Sequence, residues 1–179
     1  YGPKIDIQMK NANGKEDTAF TVQYDFCMPD RFDLTYVGSE GKLKRAFVVH
    51  RSSIGAIERI MAFLIEKYSG AFPLWLSPVQ VIILPISEKQ FAYAEEIYSE
   101  LHSNDIRVEL DDSNESLGKK SRTAKTKKIP YMVVLGEKEK DSNLLTVEKR
   151  SGGNISDVSL RSFIAKLKKE IEEKINEER

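Results

Sequence analysis

Residues 49–59, VHRSSIGAIER, could bind a small anionic ligand. They join the end of a predicted strand to the start of a predicted helix that carries Arg59 in its first turns. The guanidinium of Arg59 could stack on a purine and neutralise phosphate, and Gly55 would let the ligand approach the backbone closely. The residue types alone leave a second interpretation open, in which Arg59 is a surface arginine paired with a carboxylate.

Polar residues at alternate positions of a second segment could line a pocket. Thr21, Gln23 and Asp25 share one face of a predicted strand, because strand side chains repeat every second residue. They could hydrogen-bond a substrate, or form the solvent face of an edge sheet. His50 also leaves two interpretations open, because a lone histidine is either a metal ligand or a hydrogen-bonded core residue.

A third candidate is the basic segment KKSRTAKTKK, residues 119–128, which contains no acid. Its cations are Lys119, Lys120, Arg122, Lys125, Lys127 and Lys128. Such a cluster suits a phosphate backbone. It is equally typical of a solvated helix face.

The first elements form a predicted antiparallel meander that carries the first two candidates. IDIQMK alternates apolar and polar residues, NANG signals a turn, and TAFTVQYDF and AFVVHR are rich in strand formers. The polar residues 38–44 are expected to be a turn before the third strand. Apolar residues from Ile57 to Tyr68 then recur at helical spacing, and Gly70 ends that helix.

The later elements predict an α/β domain that carries the basic segment. VQVIILPI is a near-continuous apolar run typical of a buried strand, and the residues from Phe91 to Leu101 follow as a helix. IRVELD, a helix over 117–127, PYMVVLG and LLTVEK continue the pattern, and a last helix runs from Leu160 to Ile175. AFPLWLSPVQ, with two prolines, is the predicted connector.

Composition excludes several classes of protein. The 179 residues have a formal net charge of zero with 31% charged residues, so RNA or DNA binding would need a local patch. The single cysteine, Cys27, excludes an intrachain disulfide framework, and two histidines leave little for a self-contained zinc site. No apolar run is long enough to span a bilayer. We therefore expect a soluble protein of a reducing, cytoplasmic compartment. Because there is no initiator methionine and Tyr1 opens directly into a strand pattern, we also expect the N-terminal portion of a longer protein to be absent.

Motifs along the whole chain resemble those of threonyl-tRNA synthetases, a class II aminoacyl-tRNA synthetase family. The matching segments are YGPKID, the T-x-Q-x-D-F pattern of Thr21–Phe26, RFDLTYVG, VHRSSIGAIER, GAFPLWLSPVQV, DDSNESLGKKSR and IPYMVVLGEKE. The resemblance implies an α/β protein, α+β overall. It would consist of part of an antiparallel class II catalytic domain with motif 3 (residues 1–77) and a small mixed-sheet anticodon-binding domain (residues 78–179).

The resemblance also implies roles in activating threonine with ATP and magnesium and transferring it to tRNA(Thr). Arg59 would hold ATP beside Gly55 and Thr21, and His50 would be one of three ligands of a zinc ion that selects threonine. Tyr1, Lys4 and Gln23 are implied to line the active-site pocket, with Tyr1 and Gln23 in contact with threonine or its adenylate. The residues implied to bind tRNA are Asn114, Arg122, Glu139, Lys119 and Lys120, of which the two lysines would contact the RNA backbone.

Some positions depart from the family pattern. Thr18 stands where a glutamine that contacts ATP is usual, Ala56 replaces a serine, and Glu148 lies near an expected anticodon-contacting arginine. Motifs 1 and 2 and the other zinc ligands are not in this chain, so the segment alone is predicted to be inactive, and the full-length protein is expected to be a homodimer. The alternative hypothesis is a synthetase-like paralogue that binds tRNA without catalysis.

Overall fold

The computed structural model describes residues 2–175 and divides after Lys67 into two compact units. The first unit comprises the residues up to Lys67, and the second unit begins at Tyr68. Each unit contains its own main β-sheet with helices. The predicted α/β class is therefore confirmed.

The first unit begins with a long hairpin of strands β1 (Lys4–Lys10) and β2 (Glu16–Asp25). Asn11 organises the turn between them, because its side-chain oxygen accepts the backbone amides of Asn13 and Lys15 at 3.0 Å each. An asparagine that binds its own backbone in this way favours a tight turn. The turn predicted at NANG is thus confirmed.

The chain then forms α1 (Cys27–Arg31) and a short hairpin of β3 (Thr35–Val37) and β4 (Leu43–Arg45). Strand β5 (Val48–Ser52) follows and pairs antiparallel with the free side of β2. The first unit closes with α2 (Ile57–Tyr68). The predicted three-stranded meander is confirmed, but the segment between its second and third strands contains a helix and a hairpin, whereas the sequence predicted a turn only.

Ion pairs that sequence periodicity does not reveal stabilise this inserted segment. Arg45 lies 3.0 Å from a carboxylate oxygen of Asp30 and 2.8 Å from one of Asp33. The same guanidinium donates to the carbonyl of Pro29 at 3.3 Å. All residues of β3 and β4 are exposed, so no alternation of apolar residues marks these strands.

The second unit contains a five-stranded mixed sheet. Its strands are β6 (Val81–Pro85), β7 (Val108–Leu110), β8 (Tyr131–Leu135), β9 (Leu144–Lys149) and β10 (Asn154–Ser159), in the spatial order β10-β9-β8-β6-β7. β6 pairs parallel with both β7 and β8, whereas β9 and β10 are antiparallel. Every residue of β6 is buried, as its continuous apolar run predicts.

Within residues 68–175, the α-helices that accompany this sheet are α3 (Phe91–Ser103), α4 (Leu117–Thr126), α5 (Glu137–Ser142) and α6 (Leu160–Glu172). The core of one sheet face combines residues of α3 and α6 with Val81 and Ile83. The other face packs Ile82 and Leu84 against Ala124 of α4. Alternate residues of β6 therefore belong to two different cores.

The sequence missed β10 and α5 and extended the last helix too far. β10 pairs with β9 through an irregular register between Ile155 and Val158, where Asp157 has a φ of +56°. This irregularity removes the regular alternation that would have revealed a strand. α6 ends at Glu172, before the predicted Ile175, and Lys174 has a φ of +48°.

The proline-containing connector packs onto the second unit. Leu74 is 2% exposed and belongs to its core. Gln80, which is fully buried, donates to the Leu74 carbonyl at 3.0 Å, and Arg107 donates to the carbonyls of Ser77 and Trp75. The predicted domain boundary after residue 77 stays a prediction. Among residues 2–175, no helix has both the length and the apolar content needed to cross a membrane.

Candidate functional site

Four residues predicted to line a pocket lie on one face of the sheet in the first unit. Lys4 is opposite Gln23, and Gln23 is opposite His50 on the other side of β2. Thr21 precedes Gln23 by two residues and shares its face. Their roles stay predictions. Tyr1, which was predicted to join them, lies outside the described residues.

This polar face also carries an ionised carboxylate. The Lys4 ammonium lies 3.2 Å from an oxygen of Asp6. Asp6 is opposite Thr21 in the register. A hydrogen bond from the Thr21 side chain lowers the pKa of Asp6; burial opposes this effect and Lys4 adds to it. The face therefore combines a cation, an anion and neutral hydrogen-bonding groups.

A β-bulge in the hairpin brings β2 close to the loop before α2. The register shifts after Ile7, so that Gln8 is opposite Thr18 and Ala19 is the additional residue. A Cβ atom added to Gly55 would lie only 2.1 Å from the Ala19 carbonyl oxygen. The close approach that Gly55 allows in this structure is to the chain's own backbone, whereas the sequence suggested an approach by a ligand.

Arg59 contacts the same bulge. Its Nη1 donates to the Thr18 carbonyl at 2.6 Å from the third residue of α2. Within residues 2–175, no carboxylate lies at ion-pair distance from the Arg59 guanidinium. The geometry therefore differs from the alternative in which Arg59 pairs with a surface carboxylate. The guanidinium is held by one nitrogen and keeps further donors for a ligand.

Asp25 and His50 form a hydrogen-bonded couple on the polar face. His50 Nε2 lies 2.9 Å from Asp25 Oδ2, and Asp25 Oδ1 accepts the amides of Cys27 and Met28. The Met28 amide is the main cause of the lowered pKa of Asp25; burial opposes it, and His50 and Cys27 add to it. The ionised carboxylate favours the proton on Nε2, which leaves the lone pair of Nδ1 for a ligand.

This couple fits one ligand of a metal site. A metal-bound histidine commonly donates its other ring N–H to a carboxylate, as His50 can to Asp25. The His50 side chain is 54% exposed, so Nδ1 is on an accessible ring. No group of three or more potential ligands among His, Cys, Asp and Glu occurs within the part of the chain that the structure describes. His50 could therefore contribute to a site that requires ligands from elsewhere.

In the second unit, carboxylates neutralise most of the basic segment. The ion pairs are Lys119 with Glu115, Lys120 with Asp111, Lys125 with Glu148, and Lys127 with Glu109. Lys128 donates to the carbonyl of Ser69. Arg122 is exposed and has no carboxylate at ion-pair distance among the described residues. The electrostatic strength of the patch is thus lower than its six cations suggest.

Glu139 and Glu148 lie along one polar surface next to α4. Glu139 accepts the Gly136 amide at 2.9 Å and the Thr146 hydroxyl at 2.8 Å. Burial opposes its ionisation, but these hydrogen bonds outweigh burial and lower its pKa. Thr146 and Glu148 point to the same side of β9, and Lys125 Nζ lies 2.7 Å from Glu148. This polar surface extends from α5 to α4.

Asn114 lies in the exposed loop before α4. The loop begins at Asp111, and its residues 112–116 are all exposed. Lys120, by contrast, is only 6% exposed. Of the predicted tRNA-binding residues, Asn114, Arg122 and Lys119 are therefore exposed, Glu139 is half-buried and Lys120 is buried.

The partners of several of these residues could not be predicted from the sequence. Asp25 and His50 were both candidates, but their contact depends on the register of two different strands. Thr146 was not identified as the partner of Glu139. The alternation of LLTVEK contained a weak signal, since it puts Thr146 and Glu148 on one side of the strand.

Comparisons with known proteins identify relatives of both units. Residues 80–170 match the family model described as the anticodon binding domain. Residues 1–68 match the tRNA synthetase class II core domain (G, H, P, S and T). The two matches follow one another along the chain.

Similar proteins agree with these matches. The threonine–tRNA ligase of Clostridium botulinum (strain Eklund 17B / Type B) is 48% identical over 171 residues, and that of Clostridium tetani (strain Massachusetts / E88) is 47% identical over 177. They cover 96% and 99% of this chain, which spans only 27% and 28% of their lengths. A crystal structure of the RNA binding domain of threonyl-tRNA synthetase from Cryptosporidium parvum Iowa II superposes with a TM-score of 0.79 and 34% identity, covering 94% of this chain and 43% of that one.

Proposed function

Because the chain belongs to the threonyl-tRNA synthetase family, with a class II core segment and an anticodon-binding domain, we propose that it serves as the C-terminal part of a threonine–tRNA ligase. The whole protein would activate threonine with ATP and transfer it to tRNA(Thr). This chain would contribute one wall of the active site and the anticodon reader. No observation favours the alternative of a non-catalytic paralogue.

The observation that carries the proposal is the polar face of the first sheet. Lys4, Thr21, Gln23 and His50 share that face by register, and Arg59 binds the backbone of the neighbouring bulge. A sheet face that combines these groups offers donors and acceptors for an amino acid and a nucleotide. Preorganised groups of this kind stabilise charge that develops during acyl transfer.

On this proposal each residue has a distinct task. Arg59 would bind ATP, as its magnesium complex, through the guanidinium N–H groups that do not bind the Thr18 carbonyl. Gly55 would keep the loop before α2 against the bulge. Lys4 and Gln23, with Tyr1, would orient threonine or its adenylate, and Thr21 would lie beside the nucleotide. Catalysis would rest mainly on positioning and charge.

His50 would hold a zinc ion through Nδ1, with Asp25 fixing the ring. Zinc would supply Lewis-acid affinity for the amino group and hydroxyl of threonine, and a site that requires the hydroxyl would reject valine better than an apolar pocket can. The remaining ligands would come from outside this chain.

The second unit would bind the anticodon arm of tRNA(Thr). Asn114, Arg122 and Glu139 would recognise splayed anticodon bases by hydrogen bonds, the usual mode for single-stranded RNA. Lys119 and Lys120 would support the RNA backbone contact. We further propose that the full-length protein is a homodimer and acts in the cytoplasm.

Threonine-dependent exchange of pyrophosphate into ATP by the intact protein tests the catalytic role. Arg59→Gln should lower the exchange rate by about 100-fold or more, because a donor to developing charge is lost. Arg51→Gln is a matched control, since Arg51 is opposite Val22 and lies on the other face of the same sheet. Its exchange rate should stay within about twofold of the unsubstituted enzyme.

Two results would contradict the proposal. Exchange that survives Arg59→Gln unchanged would remove the role assigned to this arginine. Absence of any threonine-dependent exchange in the intact protein, with tRNA binding retained, would instead support the non-catalytic paralogue.

A further inference from the structure

Lys120 differs from the other lysines within α4 and from Lys127 directly after it, because its side chain is buried. Its side chain is 6% exposed, whereas those of Lys119, Lys125 and Lys127 are between 53% and 64% exposed. Burying an ammonium group is costly unless it is paired and hydrogen-bonded. The contacts of Lys120 should therefore reveal what the buried charge stabilises.

The Lys120 ammonium contacts the first residue of the loop that carries Asn114. Nζ donates to the Asp111 carbonyl at 3.0 Å and lies 3.8 Å from Asp111 Oδ1. That carboxylate oxygen also accepts the Ser113 amide at 3.0 Å and the Ser113 hydroxyl. The charge on α4 is thus connected through Asp111 to the residue directly before Asn114.

Apart from these contacts, the loop is joined to α4 by the exposed ion pair of Glu115 with Lys119 at 2.6 Å, and exposed pairs of this kind contribute little to stability. Residues 112–116 are exposed and contribute no side chain to either core cluster. At its start, the Asp111 amide donates to the Ile83 carbonyl at 3.0 Å. At its end, α4 begins after Ser116. Lys120 therefore joins the two ends of the loop across a cleft of about 310 Å³ that Asp111, Ser113 and Lys119 also line.

We propose that Lys120 is a positioning residue for anticodon reading, which acts by holding the Asn114 loop in its binding conformation. This inference rests on the proposed function of the second unit. It replaces the RNA backbone contact proposed above for Lys120 with a positioning role. Lys120 would contact no phosphate, because its ammonium is already bound inside the protein. Because Lys120 would already hold the loop in place, the loop would lose less conformational entropy when Asn114 contacts a base.

Lys120→Met tests the inference in the whole chain, because methionine keeps most of the length of the side chain and removes the charge. Binding is measured to a tRNA(Thr) transcript and to one that differs only in the middle anticodon base, over a range of salt concentrations. The ratio of the Kd values for the two transcripts should fall about tenfold in the variant. This is the change expected when one or two side chains must be ordered on binding. Its salt dependence should stay the same, since no phosphate contact is removed.

Lys119→Met provides the opposite signature. Lys119 is exposed and does not contact Asp111, so its loss should weaken binding to both transcripts equally. Because Glu115 already faces its charge, the salt slope should fall by less than the value of about 0.7 expected for an unpaired cation. Lys120→Arg, which keeps the charge, should restore part of the preference that Lys120→Met loses. Hydrogen exchange should also be faster at residues 112–116 of Lys120→Met, with the amides of β6 and β8 unchanged.

The outcomes separate this inference from the proposed function. Equal affinity of the unsubstituted chain for both transcripts would refute anticodon reading itself. A preference that survives Lys120→Met, or a loss accompanied by a smaller salt slope, would refute only the positioning role. If Lys120→Met does not fold, Asp111→Asn replaces it, because this change removes the paired carboxylate at a side chain that is 17% exposed and should reduce the preference in the same direction.

Discussion

Gly55→Ala should destabilise the first unit much more than the same change at Gly14. Both glycines have positive φ angles, +72° at Gly55 and +78° at Gly14. An alanine at either position would be strained by its backbone conformation. Only at Gly55 would the added Cβ atom also meet another group, the Ala19 carbonyl, since nothing lies within 4 Å of the corresponding position at Gly14.

The expected free-energy changes follow from these two effects. The left-handed conformation costs about 1–2 kcal/mol for an alanine, and this applies to both sites. At Gly55 the Cβ would lie 2.1 Å from the Ala19 oxygen, whereas ordinary contact begins at 3.4 Å, so the backbone must move by more than 1 Å. Overpacking of this kind costs about 1–3 kcal/mol. Gly55→Ala should therefore cost about 2–5 kcal/mol and Gly14→Ala about 1–2 kcal/mol.

Hydrogen exchange measured by mass spectrometry would localise this effect. The amides of β1 and β2 in Gly55→Ala should exchange roughly tenfold faster or more than those in Gly14→Ala, while those of the second unit stay unchanged. The displaced loop should also separate Arg59 from Thr18. On the proposed function, the threonine-dependent exchange of pyrophosphate into ATP by the intact protein should therefore fall. Equal protection in the two variants would refute the reasoning, because it would mean that the Ala19 carbonyl does not restrict this site.

Three further predictions concern the second unit. Arg122→Gln should lower the slope of log Kd for tRNA against log salt by about 0.7, measured by fluorescence anisotropy, because its cation is not neutralised by a carboxylate. Lys127→Gln, whose cation pairs with a carboxylate, should lower the slope less, and equal effects would contradict this. Tyr131→Phe should reduce the free energy of unfolding in urea by about 1–3 kcal/mol, since the buried Glu170 carboxylate loses a hydroxyl donor at 2.7 Å. Glu139→Gln should make unfolding less dependent on pH below the ordinary carboxyl value of 4.5: the folded-state pKa is lowered, so the stabilisation by Glu139 is present above that value and lost as the pH falls through the lowered pKa.

Local patterns predicted the elements that bury apolar residues. The helical spacing of Ile57 to Tyr68 corresponds to α2, and the apolar run at VIILP corresponds to the buried strand β6. Elements without such patterns were missed. α5 has no buried residue, and β3 and β4 are exposed throughout. Periodicity reports burial, so it cannot detect an element that side-chain hydrogen bonds or ion pairs hold on the surface.

The candidate site shows the same limit at the level of single residues. Alternation was sufficient to put Thr21, Gln23 and Asp25 on one face. The contact between Asp25 and His50 needed the register of two strands separated by α1 and a hairpin. The bulge at Ala19 gave no signal in the sequence, although it explains why a glycine is required at position 55. Contacts between distant segments depend on the register, which no single strand specifies.

The basic segment gives a final, quantitative distinction between sequence and structure. If all six cations contacted phosphates of a single strand, the slope of log affinity against log salt would be about −4. In the structure four of them face carboxylates. Only the other two, Arg122 and Lys128, could contact phosphate without breaking an ion pair. We therefore expect a slope of about −1 to −2 for the unsubstituted chain. A slope near −4 would mean that tRNA opens these ion pairs, and would contradict the view that Glu148 and Glu109 neutralise the surface when RNA is bound.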